Sequence, residues 1–549
     1  MEMATFDNAA KHIRKQISNF ETASLIGELI KYLQQTPEMK RKGEISAPWV
    51  VLLAIDWVLE LHPSSGKYNA TQKDVHNILN NIWRTQHIAV DSESSPISVQ
   101  IRALLAPQVI FQRSAKRMAY FFLRMKKIIS ADKENSALFE KCFFGRYRLN
   151  LETFYEITFI ICIYSMNEKT KFFNFSFFVE CIMPYYKLSD VANTINILAS
   201  TVSDLVNKAE KDIDREVPKK EYFRESLFLE TPFLLMESGL LVIHPTVVMI
   251  GISECIIRRF IREDEQNRTL FTKCFEEYLN EIHEEFNVAS LRESELKSFY
   301  KEKSAENRKV VDFLLLSEDF NVFLDAKGVD PTNPILSAVT RHDISRRIKG
   351  QHLKAIRQII DTIDVLITHN HKEIRSLDNR YGLVVTNQDF FLGTGDRILS
   401  FISDDLNQEL INLAENKILF SNIHFMTVEQ YEILNCILSE TGKTFKDFFE
   451  YVKDCERDSH KIKLVMDQYI ESFSISAYEK PVIPNGAPSL IADKDRMFDF
   501  ALKVLSSNHA FWQKVGKTGD LGIEYFMQQH NKLVRSTFHK DRNQKGQSH

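Results

Sequence analysis

Residues 310–327 read VVDFLLLSEDFNVFLDAK, and the interpretation of the chain starts from this stretch. Two apolar runs, 310–316 and 322–327, are separated by turn-forming residues that include Asp319 and Asn321. Such a pattern predicts a β-hairpin. Because apolar residues occupy both alternating faces of each run, we expect central strands that are covered on both sides.

Three charged side chains interrupt these apolar runs: Asp312, Asp325 and Lys327. A charge in a buried strand is costly unless it is paired or bound to a metal ion. Asp325 and Lys327 are two residues apart and project from one face, and hairpin pairing brings Asp312 beside them. Carboxylates hold Mg²⁺ or Mn²⁺, which acidifies a bound water, and an ammonium group stabilises charge developing on phosphorus. The three residues therefore predict a phosphodiester-hydrolysing site.

The order of these residues resembles the PD-(D/E)xK nuclease superfamily, in which an acid on one strand precedes acid-x-Lys on the next. Here Asp312 is followed, after twelve residues, by Asp325-Ala326-Lys327, and Val311 stands where the family pattern has proline. The chain contains three other acid-x-Lys triplets, at 38–40, 295–297 and 415–417. Among the four, only the triplet at Asp325 follows a β-type run.

Members of that superfamily carry an acidic helix before the hairpin and a basic helix, often with a glutamine, after it. The segment Phe275-Glu276-Glu277-Tyr278 resembles the first, with Glu277 and Glu281 as alternatives to Glu276, and Lys349-Gly350-Gln351 resembles the second. The resemblance implies a restriction-endonuclease-like α/β core with a central mixed sheet. It also implies roles for five residues: metal ligation by Asp312, Asp325 and Glu276, catalysis by Lys327, and support from Gln351.

Around this core the apolar spacing predicts an α plus α/β protein with several domains. Apolar residues recur at three- and four-residue spacing in residues 1–225, which predicts a helical N-terminal half. Residues 226–262 form a bridging segment with a short β-type interruption at Ser238-Gly239. We assign residues 263–432 to the nuclease-like domain and residues 433–549 to a helical C-terminal region. From about His530 the chain reads as a solvated basic tail.

Local basic segments are the candidates for nucleic-acid contact, since the formal net charge is -4 and provides no global positive field. The segment beside the predicted site is a phosphate-contacting candidate; it contains Arg341, Arg346, Arg347, Lys349 and Lys354. A second candidate lies between Arg113 and Lys127, where cations alternate with Tyr120, Phe121 and Phe122.

Arg347 and His352 support a rival chemistry. Their Arg-x4-His spacing resembles the motif of HEPN ribonucleases, which cleave RNA without a metal ion. Ile348 stands where that family usually has a polar residue, and the predicted strands before it differ from an all-helical setting.

Bulk composition narrows the class of protein further. Seven cysteines without a CxxC pair predict free buried thiols in a reducing compartment, so we expect a cytoplasmic protein. The N-terminus lacks a signal-peptide pattern, and no apolar run is of spanning length, so no membrane partner is expected.

Together these features predict an Mg²⁺-dependent endonuclease that acts on DNA in preference to RNA. By analogy with bacterial restriction and anti-phage defence proteins, the helical extensions would sense a phage-derived or protein trigger, and the protein would form oligomers in some settings. The alternatives are an RNA nuclease and a non-catalytic helical scaffold that binds nucleic acid or protein. The scaffold predicts that the three charged residues pair with one another or with neighbours.

Overall fold

In the computed structural model, the described residues include nine strands, which form two sheets embedded among helices. The structure describes residues 5–35, 47–62, 66–90, 96–167, 170–209, 218–480, 482–506 and 520–538. The expected fold class, α plus α/β with a helical N-terminal half and a helical C-terminal region, is confirmed at this level.

The helices of the N-terminal half are amphipathic or wholly apolar, as their spacing predicts. They are α1 Phe6–Ile17, α2 Thr22–Leu33, α3 Pro48–Glu60, α4 Gln72–Arg84, α5 Gln86–Val90, α6 Ile97–Leu105, α7 Ala115–Ser130, α8 Lys133–Tyr147, α9 Leu151–Asn167, α10 Phe175–Phe177, α11 Leu188–Leu198 and α12 Val202–Ala209.

The remaining helices bridge the two sheets, flank the larger sheet or follow it. They are α13 Leu227–Glu230, α14 Pro245–Ile250, α15 Ile256–Glu263, α16 Glu265–Glu285, α17 Glu293–Glu302, α18 Asn333–Leu336, α19 Arg341–Ile348, α20 His352–Thr368, α21 Gly395–Phe401, α22 Asp404–Ala414, α23 Val428–Thr441, α24 Phe445–Arg457, α25 Met466–Tyr478, α26 Pro488–Ser506 and α27 Asp520–Phe538.

The smaller sheet joins the bridging segment to the N-terminal half. Its strands, in the order β1-β4-β3-β2, are β1 Phe172–Asn174, β2 Ala199–Ser200, β3 Phe233–Met236 and β4 Gly239–Val242. The β-type interruption predicted around Ser238-Gly239 corresponds to β3 and β4, and the turn between them consists of Glu237 and Ser238. At Gly239, β1 comes so close that a Cβ atom would overlap the carbonyl oxygen of Phe173, so only glycine fits there.

The larger sheet contains the predicted hairpin at its centre. Its strands, in sheet order, are β5 Ser290–Arg292, β6 Phe313–Leu316, β7 Asn321–Lys327, β8 Arg380–Thr386 and β9 Ile423–Thr427. β5, β6 and β7 pair antiparallel, whereas β7, β8 and β9 pair parallel. Because parallel neighbours need long crossovers, α18 to α20 separate β7 from β8, and α21 and α22 separate β8 from β9.

Both faces of this sheet are buried, as the two-sided apolar runs predict. Alternate residues such as Leu315 and Leu324 join one hydrophobic cluster with α16, while Leu314 and Phe323 join another with α20. The first strand differs from the prediction at its start, because β6 begins at Phe313 and Asp312 lies one residue before it.

A continuous hydrophobic core joins the four segments of the chain. One cluster of buried side chains contains Phe6 of α1 together with Leu324 of β7 and Leu533 of α27. Within it α7 packs on α16, and α26 packs on α7 and α9. The proposed divisions at 225, 262 and 432 therefore describe order along the chain, while packing unites the segments.

The predicted solvated tail was wrong for residues 530–538. These residues complete α27, which packs on α11 and buries Leu533 fully. The prediction failed because most residues of this segment are polar, and its apolar face is too narrow to be recognised as a buried helix face. Lys540, Arg542 and Lys545 of the predicted tail lie outside the described residues.

All seven cysteines lie in the described part of the chain, and none forms a disulfide. Six of these thiols are buried, as predicted, and Cys142 on α8 is partly exposed. Among the described helices, none is long and apolar enough to cross a membrane.

Candidate active site

Two aspartates face each other across the hairpin. Asp325 lies in β7 and is fully buried. β6 and β7 pair with Phe313 opposite Leu324, so the antiparallel register, continued by one residue, places Asp312 opposite Asp325. Oδ2 of Asp312 accepts a hydrogen bond of 2.6 Å from the backbone N–H of Ala326. The two carboxyl groups therefore come from adjacent strands at one end of the hairpin.

Lys327 lies on the same face of β7 as Asp325. Its ammonium group forms an ion pair with Oδ2 of Asp325 and donates to Oε1 of Gln358, with Nζ and Oε1 3.4 Å apart. Gln358 lies on α20 and donates its own Nε2 hydrogen to the carbonyl of Val310 at 3.1 Å. One glutamine thus connects the lysine with the segment that enters β6.

Side chains of helix α20 form hydrogen bonds with the backbone just before Asp312. Besides Gln358, Thr362 is fully buried, and its Oγ1 accepts a hydrogen bond of 3.0 Å from the N–H of Val311. Side chains of the helix, in place of a neighbouring strand, therefore satisfy polar backbone groups at 310 and 311. This explains why the strand begins later than the apolar run.

Gln351, the glutamine that the resemblance suggested, lies at the N-cap of α20, two helical turns before Gln358. The amide that reaches Lys327 belongs to Gln358. Gln358 shares a helix face with Ala355 and Thr362, which are both fully buried. A polar residue at a position that helical spacing assigns to the buried face was the signal that the sequence reasoning missed.

Of the three acidic residues considered on α16, Glu276 is the one whose electrostatic surroundings include the hairpin charges. The pKa of Glu276 is raised to about 7, chiefly by burial and then by Glu293 and Asp325, with Lys327 acting in the opposite direction. Glu277 instead pairs with Arg292 at 2.5 Å. Glu281, whose pKa is also raised by burial, has Lys127 as its nearest strong opposing charge.

Glu293 is a further acidic residue beside the hairpin, which the sequence reasoning did not single out. It opens α17, and its N–H donates to the carbonyl of Asp312 at 2.8 Å. Its carboxylate raises the pKa of both Glu276 and Asp325. Its signal in the sequence was weak, because the short strand β5 before it has only three residues.

The carboxyl groups of the hairpin are held in surroundings that oppose their ionisation. Burial raises the pKa of Asp312 well above its ordinary value, and Asp325 and Glu276 raise it further. Burial also raises the pKa of Asp325, although Lys327 and Lys354 act in the opposite direction. Oδ1 of Asp325 is buried and accepts no hydrogen bond from the described residues. An approaching cation would find negative charge that is poorly compensated.

The donor set suits Mg²⁺ or Mn²⁺ in kind, since both prefer carboxylate oxygens and Asp325 offers an oxygen without a partner. In the part of the chain that the structure describes, however, no three His, Cys, Asp or Glu side chains are already arranged to hold a metal ion. Asp312 is turned towards the Ala326 N–H and Asp325 towards Lys327. Binding a metal ion therefore requires these side chains to reorient.

The basic residues predicted to contact phosphate lie on α19 and at the start of α20. Arg341 pairs with Asp404 at 3.3 Å, and Arg346 pairs with Asp343 at 2.9 Å. Lys349 and Lys354 are exposed. Lys354 lowers the pKa of Asp325, so its positive charge acts on the site. Arg347 is partly buried, and its Nε lacks a partner among the described residues.

His352 occupies a core position. Its ring packs against Phe390 at 4.4 Å and Phe425 at 5.5 Å, and burial lowers its pKa to about 3. Arg347 belongs to α19, which ends at Ile348, whereas His352 begins α20. The Arg-x4-His pair thus spans a break between two helices.

The second predicted basic patch serves packing between segments. Its aromatic residues, Tyr120, Phe121 and Phe122, are buried. Its cations form ion pairs with other segments of the chain: Arg113 with Glu254, Arg117 with Glu429 and Asp467, Arg124 with Glu432, and Lys126 with Glu152.

Comparisons of this chain with protein-family profiles, with curated proteins and with solved structures found no match.

Proposed function

We propose that the protein is a metal-dependent nuclease that hydrolyses phosphodiester bonds, with Asp312, Asp325 and Lys327 at its active site. The observation that carries the proposal is the position of Asp312, just before β6, opposite Asp325 of β7 when the register is continued by one residue, with Lys327 paired to Asp325. The central mixed sheet with helices on both faces agrees with the core that the PD-(D/E)xK resemblance implies.

Asp312, Asp325 and Glu276 would hold the metal ion, and Glu293 is placed to add negative charge nearby. A bound Mg²⁺ supplies a water of lowered pKa and positive charge beside the phosphate. Lys327 would donate to a phosphate oxygen as charge develops on it. Gln358 would keep the ammonium group aimed at the site.

Phosphate groups outside the reacting bond would contact the exposed cations of α19 and α20. Lys354, in the first turn of α20, lowers the pKa of Asp325, and Lys349 is exposed at the end of α19. Such contacts position the backbone of a nucleic acid without reading its sequence. We propose DNA as the substrate, with RNA as the alternative, and a role in anti-phage defence.

One observation favours the scaffold alternative: Lys327 pairs with Asp325, and no ready metal-binding trio is present among the described residues. A scaffold and a nuclease differ in what Mg²⁺ does to the protein. A nuclease would bind Mg²⁺ through residues that include Asp325, whereas a scaffold would not bind it.

Plasmid cleavage tests the proposal. Supercoiled plasmid and structured RNA would each be incubated with the purified protein, with Mg²⁺ or with EDTA. We expect Mg²⁺-dependent cutting of the plasmid and a loss of at least about a hundredfold in Asp325→Ala, since even changes beside metal ligands cost 10–100-fold. Glu415→Ala is the matched control, because Glu415 opens another acid-x-Lys triplet and is exposed.

Two further measurements distinguish the nuclease from the alternatives. Isothermal titration with Mg²⁺ should show binding that Asp325→Ala loses and Glu415→Ala keeps. If neither cleavage nor Mg²⁺ binding is found, the scaffold takes the place of the nuclease. Cleavage of RNA that persists in EDTA would instead support the pair Arg347 and His352.

A further inference from the structure

A second, strongly basic cleft lies away from the hairpin. It has a volume of about 790 Å³ and is bordered by the end of α8, by α11 and α12, by α15 and by α27. Among the described residues, none of the hairpin charges lines it. This volume falls in the range that small-molecule sites occupy in proteins.

Cations converge on this cleft from four helices or their ends. They are Arg146, Arg148, Lys208, Arg259 and Arg535. The neighbouring carboxylates are Glu230, which pairs with Arg259 at 2.6 Å, and Glu263, which pairs with Arg259 at 2.8 Å and with Arg146 at 3.6 Å. Among the described residues that line the cleft, cations outnumber carboxylates.

Arg148 is held at the rim in an unusual backbone conformation. It caps α8 with φ 53 and ψ 34, in the left-handed region, and Asn193 of α11 donates to its carbonyl at 2.9 Å. Arg148 and Arg535 form no ion pair with the described acidic residues. Their guanidinium groups are therefore available for an anion, and arginine binds phosphate oxygens in pairs.

The wall of the cleft also offers groups for the uncharged part of a ligand. Oδ1 of Asn196 is buried and lacks a hydrogen-bond donor among the described residues. It would accept from a sugar hydroxyl or a base amino group. Tyr147 lines the same cleft with its ring against Phe143 at 4.8 Å. The site thus combines phosphate-binding cations with an acceptor and an aromatic surface.

We propose that this cleft binds a nucleoside polyphosphate. A small ligand is favoured over a nucleic-acid strand because the cations surround a single concavity, whereas a strand needs an extended groove that follows its backbone. The proposal does not depend on nuclease activity at the hairpin. It assigns the helical N-terminal half, α15 and α27 a binding role of their own.

Binding of ATP to the full chain, measured by isothermal titration in EDTA, tests the proposal. ATP should bind more tightly than inorganic tripolyphosphate, and adenosine should bind least. The double variant Arg148→Asn/Arg535→Gln should bind ATP at least about tenfold more weakly, because it removes two charged donors. Asparagine tolerates the left-handed conformation at 148, and glutamine retains helix propensity at 535.

Arg457→Gln is the control, because Arg457 is exposed on α24 and pairs only within its helix, with Asp454. It should bind ATP as the wild type does, and circular dichroism should show that both variants are folded. The proposal is overturned if ATP does not bind, or if the double variant binds it unchanged. It is also overturned if ATP does not bind but a ten-nucleotide single strand binds to the wild type and not to the double variant.

Discussion

Glu276 carries a carboxyl group that folding forces into an unfavourable environment. Its pKa is about 7 in the folded protein, against an ordinary value near 4.5 in the unfolded chain. Between these values the folded protein keeps a proton that the unfolded chain releases. Stability of the metal-free protein therefore falls as pH rises from about 4.5 to 7, and the loss is complete above that range.

Replacing this carboxyl group should stabilise the metal-free protein while removing function. We expect Glu276→Gln to raise the free energy of unfolding at pH 8 by about 1–3 kcal/mol and to change it little at pH 4. Urea unfolding in EDTA at the two pH values measures this. The same variant should lose Mg²⁺ binding. Destabilisation of Glu276→Gln at pH 8 would contradict the assigned environment.

Gln358 and Gln351 distinguish the structure from the sequence-based prediction. Because Gln358 contacts Lys327 and the Val310 carbonyl, Gln358→Leu should lower plasmid cleavage by about 10–100-fold. Gln351→Leu should change it less than about threefold. Single-turnover rates at saturating Mg²⁺ measure both. If Gln358 only positions Lys327, the pH dependence of the cleavage rate should shift in Gln358→Leu, while its affinity for Mg²⁺ should stay unchanged.

At this scale the sequence predicted the charged residues of the hairpin but not their partners. Asp312, Asp325 and Lys327 stood out because charges interrupt apolar strands. Gln358 and Glu293 did not, because polar residues on helices are common and only packing shows which face the sheet. Residue types alone therefore predict the centre of the site better than its surroundings.

Helix α7 is tied to the helix that carries Glu276 through one buried carboxylate. Glu432 of α23 is fully buried and accepts from Arg124 of α7 at 2.9 Å and from Tyr278 of α16 at 2.7 Å. It also accepts from the N–H of Ala487 at 2.6 Å. Three helices and the residue that precedes α26 thus meet at a single side chain.

Removing the cation from this junction should be costly. Arg124→Met leaves Glu432 charged and buried without its cation, so we expect a loss of about 3–5 kcal/mol in the free energy of unfolding. The double variant Arg124→Met/Glu432→Gln should recover part of the loss. Arg457→Gln, which removes an exposed ion pair, should cost less than about 1 kcal/mol. Urea unfolding of the three variants measures these differences, and equal losses for Arg124→Met and Arg457→Gln would refute the junction's role.

Elements with long, regular patterns were predicted well. The hairpin predicted at 310–327 is present as β6 and β7, and the helical spacing of residues 1–225 corresponds to α1 to α12. The three-residue strand β5 and α17 were missed, because short elements depend on neighbours that local sequence does not reveal. Parallel pairing of β8 and β9 with the hairpin likewise depends on how the intervening helices pack.

The shared core has a consequence for how the whole molecule unfolds. Three of the four tryptophans, Trp49, Trp57 and Trp83, belong to the N-terminal helices; the fourth is Trp512, and residues 263–432 contain none. Because one hydrophobic cluster spans these helices and the sheet, tryptophan fluorescence and far-ultraviolet circular dichroism should give the same urea midpoint. Two separate transitions would show that the N-terminal half unfolds independently.

Fold class and segment order could be predicted from apolar spacing, because spacing reports which face of each element is buried. The same spacing does not report what lies against that face. Phe6 and Leu324 are each recognisable as buried residues, yet nothing local shows that they share one core. The union of the segments and the basic cleft between α8 and α27 emerged only from the packing.

The single partly exposed thiol, that of Cys142, is a site for selective chemical labelling. Cys142 lies one helical turn before Arg146, on the same side of α8, so a maleimide dye attached there would sit beside the basic cleft. The other six thiols are buried and would react slowly. The native chain could therefore be labelled at one chosen position without any engineered cysteine, and the dye's emission would report in real time on what enters the cleft.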